Sequence, residues 1–424
     1  MTQTTQPFAP QISVPATYMR GGTSKGIFFK LSDLPKSCQT AGKACDQFLL
    51  RVIGSPDPYG KQIDGLGNGS SSTSKSVILS KSDKPDHDVN YLFGQVNISK
   101  PMIDWGGNCG NLTAAVGACA INMGLVDAEC VAASFNDSKN NDGKNGAKNS
   151  GICEVRIWQE NISKTIIAHV PVYLDANQKV QVQETGDFEL DGVTFPAAEV
   201  KVEFIDPVDA TSDMFPTGNL VDSFAVPEYP ELGELQATFI NAGIPTIFVN
   251  AEALGFTGTE LQGDVNSDDK LLAKLETIRA YGGVAMGLFN DISEAQSSQH
   301  VPKLAWVAKP ASYTASSGKT VSADEIDLLV RAMSMGQLHH AMMGTAAVAI
   351  AAAATTFDEK QGTLVNQAAG GGELSEVRFG HPSGTLLVGG KTEQVEGRWQ
   401  AKKVSMSRSA RRIMVGEVFV PFDD

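Results

Sequence analysis

The sequence predicts an α+β fold in two similar domains, and three observations carry that prediction. The chain has 424 residues, more than one small hydrophobic core ordinarily organises. Short runs rich in β-branched and aromatic residues alternate with Gly-containing turns. Two Ala-rich helices interrupt the strand pattern: TAAVGACAINM at 113–123 and HAMMGTAAVAI at 340–350. Each goes with a Gly-containing turn, and each carries Thr-Ala-Ala-Val, at 113–116 and 345–348. Small side chains let a helix lie close to strands, so each reads as a slender central helix wrapped by a curved sheet. The tetrads alone are equally compatible with two unrelated Ala-rich helices.

Strands are expected at 76–79 (SVIL), 89–96 (VNYLFGQV), 153–158 (CEVRIW) and 165–172 (TIIAHVPV). One helix, that following Cys109, is expected up to residue 205. The stretch 136–150 (NDSKNNDGKNGAKNS) has almost no apolar content and reads as a solvated, mobile insertion. Beyond Asp206, strands are expected at 237–241 and 246–250, either side of the turn at 242–245. A helix apolar on one face is expected at 268–281 (DDKLLAKLETIRAY) before the second Ala-rich helix. The expected boundaries are 1–205 plus a C-terminal strand at about 412–424 for one domain, and 206–411 for the other.

Hydrophobic content of 42% and charged content of 19% describe an ordinary globular chain, and the net charge of −14 argues against a nucleic-acid or anionic-membrane binder. An anionic substrate would need local cations against that field. The six cysteines form no CxxC and no Cys/His cluster, so reduced thiols and a cytoplasmic location are expected. The polar, Pro-punctuated N-terminus lacks the apolar core of a signal peptide, and the apolar stretch 341–354 is too short to span a bilayer. The histidines are scattered apart from His339-His340, which gives no basis for a metal site. No P-loop and no G-x-G-x-x-G after a strand is present, and the G-x-S-x-G letters at 22–26 (GTSKG) form no nucleophile elbow, so no nucleotide or flavin cofactor and no serine hydrolase are expected.

The segment 104–113 (DWGGNCGNLT) places Cys109 where a Gly-rich turn enters a helix. The first amides of a helix lack internal partners and carry partial positive charge, which suits a carboxylate or enolate and favours a thiolate. A capped turn with a buried cysteine fits the same segment. Two further clusters, MRGGTSKG (19–26) and QIDGLGNGSSSTSK (62–75), combine amides, hydroxyls and cations that suit carboxylates. Lys75 opens an apolar strand, where burial or a neighbouring cation would turn a lysine into a usable base; a surface lysine at a strand entrance is the other reading. Arg279, on a helix face, reads locally as a salt-bridge partner, and His381 as a turn residue.

These residues carry a resemblance. GNCGN before a small-residue helix, NAGIPT at 241–246 and MSRSARRIMVGE at 406–417 resemble motifs of the diaminopimelate epimerase superfamily. MRGGTSKG (19–26), IGSPDPYGKQIDG (53–65), SSTSK (71–75), GNCGNLTAAVGA (107–118), SSGKTV (316–321), HHAMMGTAAVAI (339–350), GHPSGTL (380–386) and SRSAR (407–411) resemble the PrpF-type 2-methylaconitate isomerase family across nearly the whole chain. The resemblance implies two epimerase-like domains, each a barrel-like sheet around a central helix, with the site in the cleft between them. It implies a cofactor-independent, metal-free allylic proton shift in an aconitate-type tricarboxylate, within the 2-methylcitrate route of propionate use. The alternatives are a tautomerase or Δ-isomerase of a related acid such as oxalomesaconate or methylitaconate, and a non-catalytic accessory protein of that route's dehydratase. The implied partner is an iron–sulfur 2-methylcitrate dehydratase, and a homodimer is compatible. Lys75 is implied as the acid and base, and Cys109 as a second proton carrier or a polar wall. Substrate contacts are implied for Arg20, Gly21, Ser71, Ser72, Asn108, Gly110, Asn111, Arg279, Met343, Gly344 and Thr345. The superfamily's second thiol position falls on Met343 in one register and on Ala341 in the other; neither side chain moves a proton.

Overall fold

The computed structural model describes residues 8, 10–135, 150–208, 212–298 and 301–422, so all but the last residue of the polar stretch at 136–150 lies outside the described residues. The chain is mixed α+β and dominated by strands. It divides into two compact units: Met1–Glu189, Phe195–Val202 and Arg408–Asp424 form unit 1, and Leu190–Thr194 with Glu203–Ser407 form unit 2.

Unit 1 contains β1 (Gln11–Gly21), β2 (Ser24–Lys30), β3 (Lys75–Lys81), β4 (Val89–Val96), β5 (Ile103–Asp104), β6 (Ser150–Gln159), β7 (Lys164–Leu174) and β8 (Val180–Val182). Its helices are α1 (Lys43–Ile53), α2 (Thr113–Asn122) and α3 (Ala128–Ala133). β9 (Glu199–Ile205) begins in unit 1 and ends in unit 2. β1 pairs antiparallel with β2, β2 parallel with β3, β3 antiparallel with β4, β4 parallel with β6, and β6 antiparallel with β7. Parallel neighbours need a crossover, usually helical. α1 lies between β2 and β3 in the chain, and α2 between β5 and β6. Eight of the ten α2 residues are buried, the condition of a helix apolar on every side. Close approach depends on Gly117, where a Cβ would stand 2.7 Å from Val170 Cγ2 and 3.0 Å from Ala168 Cβ.

α1 is absent from the sequence reading, although its signal is legible. Cys45, Phe48, Leu49, Val52 and Ile53 are all buried and recur at the spacing of one helical face. Gly54, in the left-handed region at φ 84°, ends the helix.

Unit 2 contains β10 (Asp222–Ala225), β11 (Glu234–Ala242), β12 (Ile244–Asn250), β13 (Lys303–Ala308), β14 (Tyr313–Thr314), β15 (Thr320–Val321), β16 (Leu328–Ser334), β17 (Gln337–Leu338), β18 (Glu376–His381) and β19 (Gly384–Val395). Its helices are α4 (Gln262–Asn266), α5 (Asp269–Ala285), α6 (Gly344–Ala354) and α7 (Leu364–Ala368). The last strand, β20 (Arg398–Pro421), pairs with β19 in its first half and with β1 in its second. β11 pairs antiparallel with β12, β12 parallel with β13, β13 antiparallel with β16, β16 parallel with β18, and β18 antiparallel with β19. The pairing order of unit 1 is therefore repeated, with α5 at the place of α1 and α6 at the place of α2.

The helix expected at 268–281 is α5, started by Asp268, whose side chain accepts from the Lys270 and Leu271 amides. It continues past Tyr281 to Ala285. The repeat also equates single positions. β3 opens with Lys75 and β13 with Lys303, and each ammonium bonds a side chain on the next antiparallel strand, Gln95 on β4 and Ser334 on β16.

Candidate active site

In unit 1 the tip of the β1–β2 hairpin is pressed onto the turn ahead of α2. A Cβ on Gly21 would stand 2.8 Å from the Asn111 carbonyl oxygen and 2.8 Å from Leu112 Cα. Gly22, at φ +52°, lies under the Asn111 side chain. Thr23 Oγ1 accepts from Asn111 Nδ2 at 3.0 Å. The motifs MRGGTSKG and GNCGN are thus neighbours, and only glycine fits their contact.

Cys109 lies one turn before α2 and is buried. Its carbonyl accepts from the Thr113 amide at 3.0 Å and from Thr113 Oγ1 at 2.9 Å, closing the first helical turn. Its Sγ accepts from the Leu112 amide at 3.5 Å and lies 4.0 Å from Ser24 Oγ. The Asn108 side chain lies 3.3 Å from Thr113 Oγ1. The Gly110 and Asn111 amides precede the helix and have no acceptor among the described residues. They are donors of the kind that holds an oxyanion.

Lys75 is buried at the start of β3. Its Nζ donates to Gln95 Oε1 at 2.5 Å, the residue directly across the β3–β4 ladder, and sits 5.1 Å from the Phe93 ring centroid. Gln95 Nε2 in turn donates to the Ser74 carbonyl at 3.0 Å and the Ser71 carbonyl at 3.2 Å. One amide therefore fixes the ammonium and the serine run before it. Buried Gln62 anchors the same run from the other side, accepting from Ser74 Oγ at 2.8 Å and the Gly69 amide at 2.9 Å. The Ser72 carbonyl accepts from the Lys25 amide at 3.0 Å.

Lys75 and the Cys109 turn meet across Gly26. A Cβ there would stand 2.7 Å from the Lys75 carbonyl oxygen and 3.2 Å from Leu112 Cδ1. Tyr91, Phe93 and Gln95 share one face of β4 by strand alternation. Tyr91 is fully buried; burial, with the neighbouring Cys109 as a lesser cause, pushes its hydroxyl well above the usual tyrosine range.

Two arginines complete this end of unit 1. Arg408 is buried, and its Nε donates to Asn111 Oδ1 at 3.1 Å. Burial pushes its guanidinium down to about 10, with Cys109 pulling the other way. Arg20 Nη1 donates to the carbonyls of Gly22 at 3.0 Å and Ser409 at 2.9 Å, so the expected carboxylate clamp also holds the hairpin tip.

Unit 2 gives Arg279 a different task from the expected clamp. Its guanidinium is buried, paired with Glu276, and donates to the carbonyls of Ala295, Ser298, Val301 and Pro302. A planar five-donor group fits that loop of carbonyls, and it is committed there. Met343 is the residue preceding α6, and Gly344 and Thr345 open the helix. Gly243, at φ +70°, sits against this turn as Gly21 and Gly22 do in unit 1: a Cβ would stand 2.8 Å from the Thr345 carbonyl oxygen. The Ala341 amide donates to His339 Nδ1 at 3.1 Å, and the Ser383 hydroxyl donates to the His340 carbonyl, joining the HHAMMGT and GHPSG motifs. Burial holds the His340 imidazole below its ordinary range. Among the described residues no group of three or more His, Cys, Asp or Glu is placed to hold a metal, and no helix is long and apolar enough to cross a membrane.

Residues 11–421 match the sequence pattern of the PrpF protein family. The chain belongs to the PrpF family. It is 62% identical over 419 residues to a 2-methyl-aconitate isomerase of Shewanella oneidensis, with 98% of each chain covered. A 2-methyl-aconitate isomerase of Cupriavidus necator is 60% identical over 418 residues, again with 98% of each covered. The crystal structure of a methylitaconate-delta-isomerase superposes with a TM-score of 0.74 at 34% identity, covering 97% of this chain and 96% of that one. In this PrpF chain the structure brings Ser24, Tyr91, Gln95 and Arg408 to the candidate residues, and sequence reasoning had singled out none of them. Gln95 was discoverable, since a polar residue continues the buried Val89, Tyr91 and Phe93 face of the strand. Arg408 lay inside the recognised SRSAR motif with nothing local to mark its role.

Proposed function

We propose that this PrpF isomerase shifts the double bond of 2-methylaconitate to give cis-2-methylaconitate by allylic proton transfer, with Lys75 as acid and base. The observation that carries the reading is buried Lys75, its ammonium held by Gln95 and its backbone packed across Gly26 from the residue that follows the Cys109 turn. The neutral amine of Lys75 takes a proton from the carbon conjugated to the C=C bond and a carboxylate, leaving a dienolate. The resulting ammonium returns a proton at the other allylic terminus, so the reaction is redox-neutral and atoms balance. Carbanions beside carboxylates are costly because the new negative charge must spread onto oxygens that are already anionic. The Gly110 and Asn111 amides are suited to receive it, each such donor typically contributing ~10²–10³ in rate. Buried Arg408 adds positive potential and fixes Asn111. Cys109 lines the same turn as a polar wall or second proton carrier.

The fold reading is that each unit is a diaminopimelate-epimerase-like module, supported by the repeated pairing order. Asn108, Gly21, Ser71, Ser72 and Arg20 are proposed as substrate contacts, and the resemblance adds Met343, Gly344 and Thr345. The reaction needs no cofactor. The substrate would come from an iron–sulfur 2-methylcitrate dehydratase in the cytoplasm. The experiment is to incubate the protein with that dehydratase's product in D₂O and follow vinyl and methyl signals by NMR. Conversion with deuterium incorporation supports the reading. Turnover of methylitaconate alone would assign the chain to the activity named for its structural relative. No exchange on either compound would overturn an isomerase built on Lys75.

A further inference from the structure

Three cations stand side by side on the exposed side of the β1 ladder in unit 1. Arg20 is directly opposite Lys25 on β2 and directly opposite Arg411 on β20. Directly opposed residues of antiparallel strands point to the same face with Cβ atoms about 4.5–5.5 Å apart, and like charges so placed destabilise a sheet. The strain registers on Arg20, whose guanidinium is lowered by burial and further by Arg411. No carboxylate of the described residues lies within ion-pair distance of these three, although the chain has 48 acidic residues against 34 basic ones. Arg20 and Lys25 are half-buried and Arg411 is exposed, so the row faces water. Its position is tied to the candidate site. Arg20 bonds the carbonyls of Gly22 and Ser409, and the same hairpin tip carries Thr23 against Asn111 and Ser24 against Cys109.

We propose that the Lys25–Arg20–Arg411 row is an anion-capture site that draws a polycarboxylate to unit 1 and sets the preference for a trianion over less charged acids. It rests on the reading of the substrate as a tricarboxylate. A net charge of −14 repels such a substrate, and a local row of like charge, kept despite its cost to the sheet, reverses that field where the substrate must arrive. The row captures by charge beside the hairpin tip that carries Ser24 against Cys109; Lys75 and the amides of the Cys109 turn do the chemistry.

The probe is propane-1,2,3-tricarboxylate, an unreactive trianion, titrated into the full chain by calorimetry. For Arg411→Gln and Lys25→Gln the affinity is expected to fall about 5–10-fold at roughly 0.01 M salt, since one charge acts on three at roughly 8 Å in water. At roughly 0.5 M salt the variants should come within about twofold of wild type, because the screening length is then a few ångströms. Butyrate should show less than about a twofold change. Arg398→Gln, at an exposed arginine of unit 2 paired with Asp213, should bind the trianion like wild type. Relief of repulsion should leave the thermal midpoint of Arg411→Gln unchanged or raised. Wild-type affinity in both variants at low salt, or a loss that persists at high salt, would overturn the proposal. So would a lowered midpoint, which would make the row structural. Trianion binding of the expected pattern without turnover of 2-methylaconitate would sink the isomerase reading and leave the capture site standing; turnover with unchanged trianion binding would do the reverse.

Discussion

Replacing Gln95 by Met keeps the side chain's length and nearly its volume while deleting every polar contact it makes. Three hydrogen bonds disappear: the one from the Lys75 ammonium at 2.5 Å and those to the Ser74 and Ser71 carbonyls at 3.0 and 3.2 Å. A hydrogen bond to a charged group contributes about 1.5–3 kcal/mol, and a neutral one about 1 kcal/mol. The Ser71 bond is exposed and adds little, so a loss of about 2–4 kcal/mol is expected. For a unit of this size that lowers its unfolding midpoint by roughly 4–16 °C. The kinetic effect follows from the same contacts. Lys75 keeps its burial but loses the group that aims its nitrogen, and an ammonium free to swing over Phe93 spends little time at the substrate carbon. A drop of about 10–100-fold in kcat is expected, equivalent to about 1.4–2.8 kcal/mol in the barrier. Deuterium uptake into substrate, measured by NMR at saturating concentration, reads proton removal directly. Melting followed by circular dichroism reads the stability. Wild-type exchange in a protein that melts early would show that Gln95 supports the loop and not the base, and the orienting role would be wrong.

Lys75→Ala should reduce exchange by about 10²–10⁴, the usual share of a general base, while Cys109→Ser keeps the hydroxyl and the helix amides and retains more activity; the opposite order in D₂O exchange would swap their roles. Gly21→Ala should cost about 1–3 kcal/mol by overpacking, because its Cβ would sit 2.8 Å from the Asn111 carbonyl oxygen and from Leu112 Cα, and urea unfolding at constant m-value reads that loss. His340 is held below its unfolded value, near 6.5, by burial. The unfolded state therefore binds the proton first, and stability falls as pH drops below about 6.5 toward the folded value. His340→Asn should show a shallower loss between pH 6.5 and 5 in urea midpoints, and an unchanged slope would mean that His340 does not contribute.

The local sequence determined most elements and the two chemical candidates. Val89–Val96 is a strand with the expected limits because alternation and β-branching act over a few residues. The Ala-rich helices begin where a Gly-containing turn leaves helical amides unpaired. Lys75 and Cys109 were legible because each adjoins its own turn. α1 was equally legible in its apolar spacing and was missed. Tertiary structure decided what surrounds those candidates. The partner of Lys75 is chosen by the β3–β4 register, and a one-residue slip would turn Gln95 to the other face. Arg408 reaches Asn111 across 297 residues of chain, a contact made only when the last strand returns to β1. Arg279, a plausible clamp on a helix face, is committed by its fold to four carbonyls of one loop. Pattern along a chain fixes which backbone conformation is favoured. Which charges are brought together depends on pairing between distant strands, and that is set by the packing of the whole unit.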